Sequence, residues 1–151
     1  MSRLRELADY LETLPAAARL APDGILTGGA PHAAGAVLCD EGETSATHDV
    51  AGNRTALHAY ALYVRAAVLT QAERDAQQDA CEALCAQINA AALPVLAHGS
   101  VQDMHCGGAQ LAAQDDSGFC TSRIPLWLEI TQGAAETLHG AKKQAACCCV
   151  R

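Results

Sequence analysis

Three groups of residues in this chain have side chains capable of chemistry. The first is a set of thiols: Cys81 and Cys85 stand one helical turn apart, and Cys147, Cys148 and Cys149 are consecutive, within a total of 8 cysteines. The second is His98, His105 and Cys106, a combination that suits a transition metal or a thiol nucleophile with a histidine base. The third is the acidic stretch holding Asp40, Glu41, Glu43, His48 and Asp49, whose carboxylates suit a hard cation.

None of the three meets the requirements of its chemistry. A structural zinc site wants closely spaced pairs such as C-x2-C, and the sequence has none. A thiolate at Cys106 needs a base at His98 or His105 and an orienting group, yet no carboxamide or oxyanion feature accompanies them. The acidic stretch lacks the calcium-loop spacing with its central glycine and closing glutamate. Gly28-Gly29 is no phosphate loop, because the lysine and the Ser/Thr that should follow are missing. No catalytic, cofactor or metal residue is therefore assigned, and the chain is not expected to be an enzyme. The residues after Met1 lead into an amphipathic helix rather than an apolar export segment, so the cysteines are expected as reduced thiols.

Composition narrows the remaining classes. At 151 residues the chain suits one domain with one core. Hydrophobic residues make up 50%, but alanine supplies much of this and aromatics only 3%, so large anchors are few. Alanine buries little area, and burial between subunits would add to a modest core. A net charge of −7 with scattered basic residues argues against a free-standing nucleic-acid binder. Such a surface repels DNA, which suits a passage through which DNA slides without sticking. No apolar run approaches a membrane span.

The elements that must position these residues follow from periodicity. Ser2 caps a helix over 2–14 whose stripe is Leu4, Leu7, Ala8, Leu11 and Leu14, with Pro15 at its end. Residues 25–27 and 35–39 read as short strands, and 40–54 as an exposed polar loop. Residues 55–66 alternate His58, Tyr60, Leu62 and Val64 against Leu57, Ala59, Ala61 and Tyr63. Both faces being apolar, this strand is central, covered by helices on both sides or by a helix and a partner subunit. Thr70 and Glu73 form a capping box opening a helix over 70–92 with Ala76, Ala80, Cys81, Leu84 and Ile88 on one face.

Residues 110–131 read as strand, polar turn and strand: a hairpin. In its second strand Ile124, Leu126, Leu128 and Ile130 share a face, and Arg123, Pro125, Trp127 and Glu129 share the other. Pro125 cannot donate to a ladder, which places an edge or a bulge there. The fold class is α/β of the α+β type, a mixed, mainly antiparallel sheet flanked by two main helices. One domain covers 1–132, and 133–151 is a tail with a short helix or none. The candidate interface comprises Asp40, Glu41 and Glu43 on the polar stretch, and Arg123, Trp127 and Glu129 on the last strand.

The segments LRELADYLETL, CDEGETSATHDVAGNR, YALYVRAAVLTQAERDAQQDACEALCAQINA and RIPLWLEITQ, in that order, resemble the tail terminator proteins of long-tailed bacteriophages, a group that includes proteins labelled minor capsid proteins. The resemblance spans most of 2–132; the alanine richness and the terminal cysteines are not features of the group. It implies a homo-oligomer, a hexameric ring on the head-proximal end of a tail tube. The ring would stop tube growth and meet a tail tube protein on one side and a head-completion or stopper protein on the other. DNA would pass through the lumen without specific binding, and no membrane would be involved. The implied location is the head–tail junction of a virion assembled in the host cytoplasm. A completion or stopper protein is the alternative within the same class; a small thiol or metal-dependent domain is the alternative from another.

Overall fold

The computed structural model describes residues 2–29 and 34–133. The short helix expected after Gly133 and the thiols of Cys147, Cys148 and Cys149 lie outside them. The elements run α1 (Arg3–Glu12), α2 (Pro15–Leu20), β1 (Ile25–Thr27), β2 (Gly35–His48), β3 (Arg54–Ala67), α3 (Gln71–Ala90), β4 (Ser100–Cys106), β5 (Gln110–Gln114) and β6 (Phe119–Gln132). They form a six-stranded sheet ordered β1-β2-β3-β6-β4, with β5 also on β6. Every strand pair is antiparallel except β1 with β2. The expected α+β class is the observed one.

The helices begin where side chains satisfy their first amides. The Ser2 hydroxyl accepts from the Arg5 amide at 3.1 Å, and Thr70 Oγ1 accepts from the Glu73 amide at 3.1 Å. Glu73 reaches back one residue further than the capping box predicts, accepting from the Leu69 amide at 2.8 Å. Pro15 does not merely end α1: it opens α2, where its fixed φ and missing N–H cost nothing. Arg5 and Glu12 then tie β1 to α1, because Arg5 donates to the Ile25 carbonyl at 2.8 Å and Glu12 accepts from the Ile25 amide at 2.7 Å.

The core lies on one face of the sheet. Leu7 and Leu11 of α1 and Cys81, Leu84 and Ile88 of α3 pack on Leu38, Tyr60, Leu62, Ile124, Leu126, Leu128 and Ile130. The two-residue alternation of β3 and β6 thus appears as expected, with one set of side chains in the helix-covered core. Pro125 is a partial correction. β6 is an interior strand, and Pro125 lies in the gap where β4 stops at Leu126 and β5 resumes at Arg123. Its carbonyl accepts from the Gly107 amide at 3.0 Å, so its missing N–H faces the same gap.

The larger correction concerns 40–54, which is not a loop. Residues 40–48 continue β2 against β3, and only 49–53 turn. Asp49 closes that turn, accepting from the amides of Ala51 at 2.8 Å and Asn53 at 2.9 Å. The strand escapes a sequence reading because residues 41–48 are exposed on both faces, so no apolar alternation marks them. Register shifts between Asp40 and Gly42, and between Glu43 and Ser45, break the period further. β4 was likewise hidden in a weakly alternating stretch.

The β5–β6 turn is held by a single carboxylate. Asp115 Oδ1 accepts from the amides of Ser117 and Phe119, each at 3.0 Å, while Oδ2 accepts from Arg65 at 2.8 Å. The Phe119 amide, then Arg65, hold the Asp115 carboxyl at a pKa of about 2. A depressed carboxyl favours the fold above the ordinary Asp range near 4, and that contribution is lost as pH falls toward about 2. Asp115→Ala is expected to speed amide exchange in residues 110–114 and to flatten the acid limb of the stability profile between those pH values. Unchanged exchange would show that β5 is held without it.

Candidate interface

Four of the six interface candidates come together on the face of the sheet that none of the described helices covers. Cross-strand register places Ala59 beside Trp127, Ala61 beside Pro125, Tyr63 beside Arg123 and Leu57 beside Glu129. β2 adds Val37 opposite Tyr63 and Cys39 opposite Ala61. β4 adds His105 opposite Trp127 and Asp103 opposite Glu129. The result is a shallow, small-residue floor at Ala59 and Ala61 with larger groups around it. Ala61 is fully buried and Val37 3% exposed, although neither belongs to the helix-side core.

The border of this floor is organised. Glu41 on β2 pairs with Arg123 on β6 across the intervening β3. That bridge requires small residues beneath it, which Ala59 and Ala61 supply. Burial works against the Arg123 charge but is outweighed by Tyr63 and Glu41, so its pKa is raised. Trp127 stacks on His105 with ring centroids 4.9 Å apart. Gly107 permits that arrangement, since a Cβ there would sit 3.0 Å from Pro125 and 3.4 Å from the Trp127 ring. Glu129 is exposed at the far end of the row.

Asp40 and Glu43 belong elsewhere. Asp40 pairs with Tyr60 in register, and its carboxylate accepts from the Gly42 amide at 2.7 Å, shaping the first bulge. Glu43 pairs with Arg54 and lies 3.5 Å from His58. The Arg54 hydrogen bond holds the Glu43 carboxyl below its ordinary value. Arg3 of α1 stands 3.2 Å from His58 Nε2. Burial, then Arg3, pushes the His58 imidazole below its usual pKa. This cluster is a polar seam between α1 and the long hairpin, on the helix side of the sheet.

The residues that invited metal or thiol chemistry are likewise separated. His105 is on the uncovered face against Trp127, whereas the neighbouring Cys106 points into the core. His98 is exposed before β4 begins. Among the described residues no group of three or more His, Cys, Asp or Glu is placed to hold a metal ion. No helix of the described residues is long and apolar enough to cross a membrane.

The sheet also has open edges, which the sequence reading missed. β1 pairs only with Ala36–Leu38, so among the described residues no strand covers the outer side of residues 40–48. That edge runs roughly 30 Å at ordinary strand rise. At the opposite side β5 is exposed throughout, with Leu111 63% exposed. Leu26 on β1 is 66% exposed and Val50 at the hairpin tip is fully so.

The chain matches no protein-family model and no curated protein sequence. Solved structures do match. One is a chain of the "Virion of native gene transfer agent (GTA) particle", superposing with a TM-score of 0.60 at 16% identity and covering 87% of this chain and 99% of that one. The likeness is one of fold.

Trp127 shares this face with Tyr63 and is the larger of the two, and large aromatics dominate the energetics of the contacts they join. Trp127→Ala is expected to weaken self-association on the order of tenfold or more in sedimentation. The melting temperature should move by only about 5 °C or less. Equal losses in both would place Trp127 in the subunit's own packing.

Proposed function

We propose that this chain is a structural protein of a phage-like particle, a tail terminator that forms a ring on the head-proximal end of a tail tube. The observation that carries the reading is the fold shared with a chain of the gene transfer agent virion over 99% of that chain's length. The order of segments resembling tail terminators points the same way. In this reading the chain performs no catalytic step and needs no cofactor.

The geometry is suited to such assembly. Among the described residues, two different edges, residues 40–48 of β2 and the β5 side, stay open on opposite sides of one sheet. Contacts between unlike surfaces are heterologous, and they close into rings when the rotation between copies allows. The β2 edge is also guarded against indiscriminate pairing. It carries two register shifts and the acids Asp40, Glu41 and Glu43, devices that discourage pairing with an arbitrary strand. A partner of matching shape remains admissible. The net charge of −7 suits a lumen through which DNA moves without adhering.

The deciding experiment is electron microscopy of the purified protein mixed with assembled tail tubes of its own particle. Rings seated at one end of each tube, together with arrest of further tube growth, are expected. A protein that binds only the head-side portal assembly and leaves tube length unchanged is instead a completion or stopper protein. A protein that stays monomeric beside the tubes is neither.

A further inference from the structure

α3 and the end of β4 hold two thiols in one place. Cys85 Sγ donates to the Gly107 carbonyl at 3.3 Å and Cys106 Sγ lies 3.2 Å from the same oxygen. The two thiols therefore meet at one carbonyl oxygen. Their relative position is fixed by Asn89, one helical turn beyond Cys85. Its carboxamide accepts from the Cys106 amide at 2.8 Å and donates to the Cys106 carbonyl at 3.2 Å. The helix and the strand end are thus clamped through both backbone groups of Cys106.

We propose that Cys85 and Cys106 are a thiol–disulfide site that reacts with low-molecular-weight disulfides and, once oxidised, staples α3 to β4. Cys85 attacks first. The neighbouring Cys106 thiol favours a thiolate there, lowering the Cys85 pKa and raising that of Cys106. The Cys85 thiolate displaces one thiolate from the small disulfide RSSR and forms Cys85–S–S–R. Cys106 then loses its proton and attacks the Cys85 sulfur, expelling the second RS⁻. Two protein thiols and one RSSR become one protein disulfide and two RSH, so electrons and protons balance.

Two of the other described cysteines, Cys39 and Cys81, are held differently. Cys81 is fully buried with its pKa pushed up to about 11, mainly by burial. Cys39 donates to the Gly29 carbonyl at 3.2 Å, and burial raises its pKa. Cys85 and Cys106 are both buried, so a small disulfide reaches them only when the end of β4 opens from α3.

The test uses the full chain with Cys147, Cys148 and Cys149 replaced by serine, so that they do not compete. The reduced, folded protein is incubated with oxidised glutathione and its peptides are mapped by mass spectrometry. A Cys85–Cys106 crosslink is expected, with a melting temperature raised by about 5 °C and restored by dithiothreitol. Cys106→Ser should instead retain glutathione on Cys85, since no second thiol resolves it. A parent chain that shows persistent glutathione adducts without the crosslink, or whose two thiols stay unreacted while folded, overturns the proposal. The parent result decides even where Cys106→Ser does not fold.

Discussion

Among the described residues, the structure depends on a sheet whose helices all pack on one face. Leu7, Leu11, Leu84 and Ile88 all pack onto the side carrying Leu62, Ile124, Leu126 and Leu128. On the other side, the described residues form a small-residue floor bordered by side-chain contacts. Ala59 and Ala61 lower its centre, and the Glu41–Arg123 pair and the Trp127–His105 stack close over its rim. An antiparallel sheet tolerates this asymmetry, because alternate residues of each strand serve different environments. Among the described residues, the outer sides of residues 40–48 and of β5 remain unpaired.

How legible this was differs from element to element. β3, β6 and α3 announced themselves because each buries a continuous stripe with a clear period. The outer half of β2 did not, because a strand exposed on both faces has no reason to alternate. Its pairing is dictated by β3, whose own apolar pattern runs through the whole hairpin. The Asp49, Gly52 and Asn53 chemistry that suggested a long loop belongs to a turn of only a few residues. Pro125 was read correctly as a residue without a ladder donor, but where its missing N–H would fall depended on where β4 ends, which no local signal gave.

The candidate interface was similarly half visible. Arg123, Trp127 and Glu129 share a face by simple alternation along one strand, and Glu41 joins them through cross-strand pairing. Adjacent acids in the sequence were grouped together, yet the first bulge of β2 sends Asp40 and Glu43 to the helix side while Glu41 reaches Arg123. Bulges reassign faces, and they leave little trace in sequence. The Cys85–Cys106 pair is invisible for another reason: its members belong to different elements and meet only when Asn89 clamps the end of β4 to α3.

If the protein assembles as proposed, the edge of residues 40–48 of β2, unpaired among the described residues, is filled by another chain. Amide hydrogen exchange, compared between dilute protein and protein assembled at high concentration or on tail tubes, addresses this edge directly. Slowed exchange is predicted for outward-facing amides within 40–48, against little change in the already buried amides of β3 and β6. Assembled particles in which residues 40–48 exchange as fast as in the dilute protein would contradict the account.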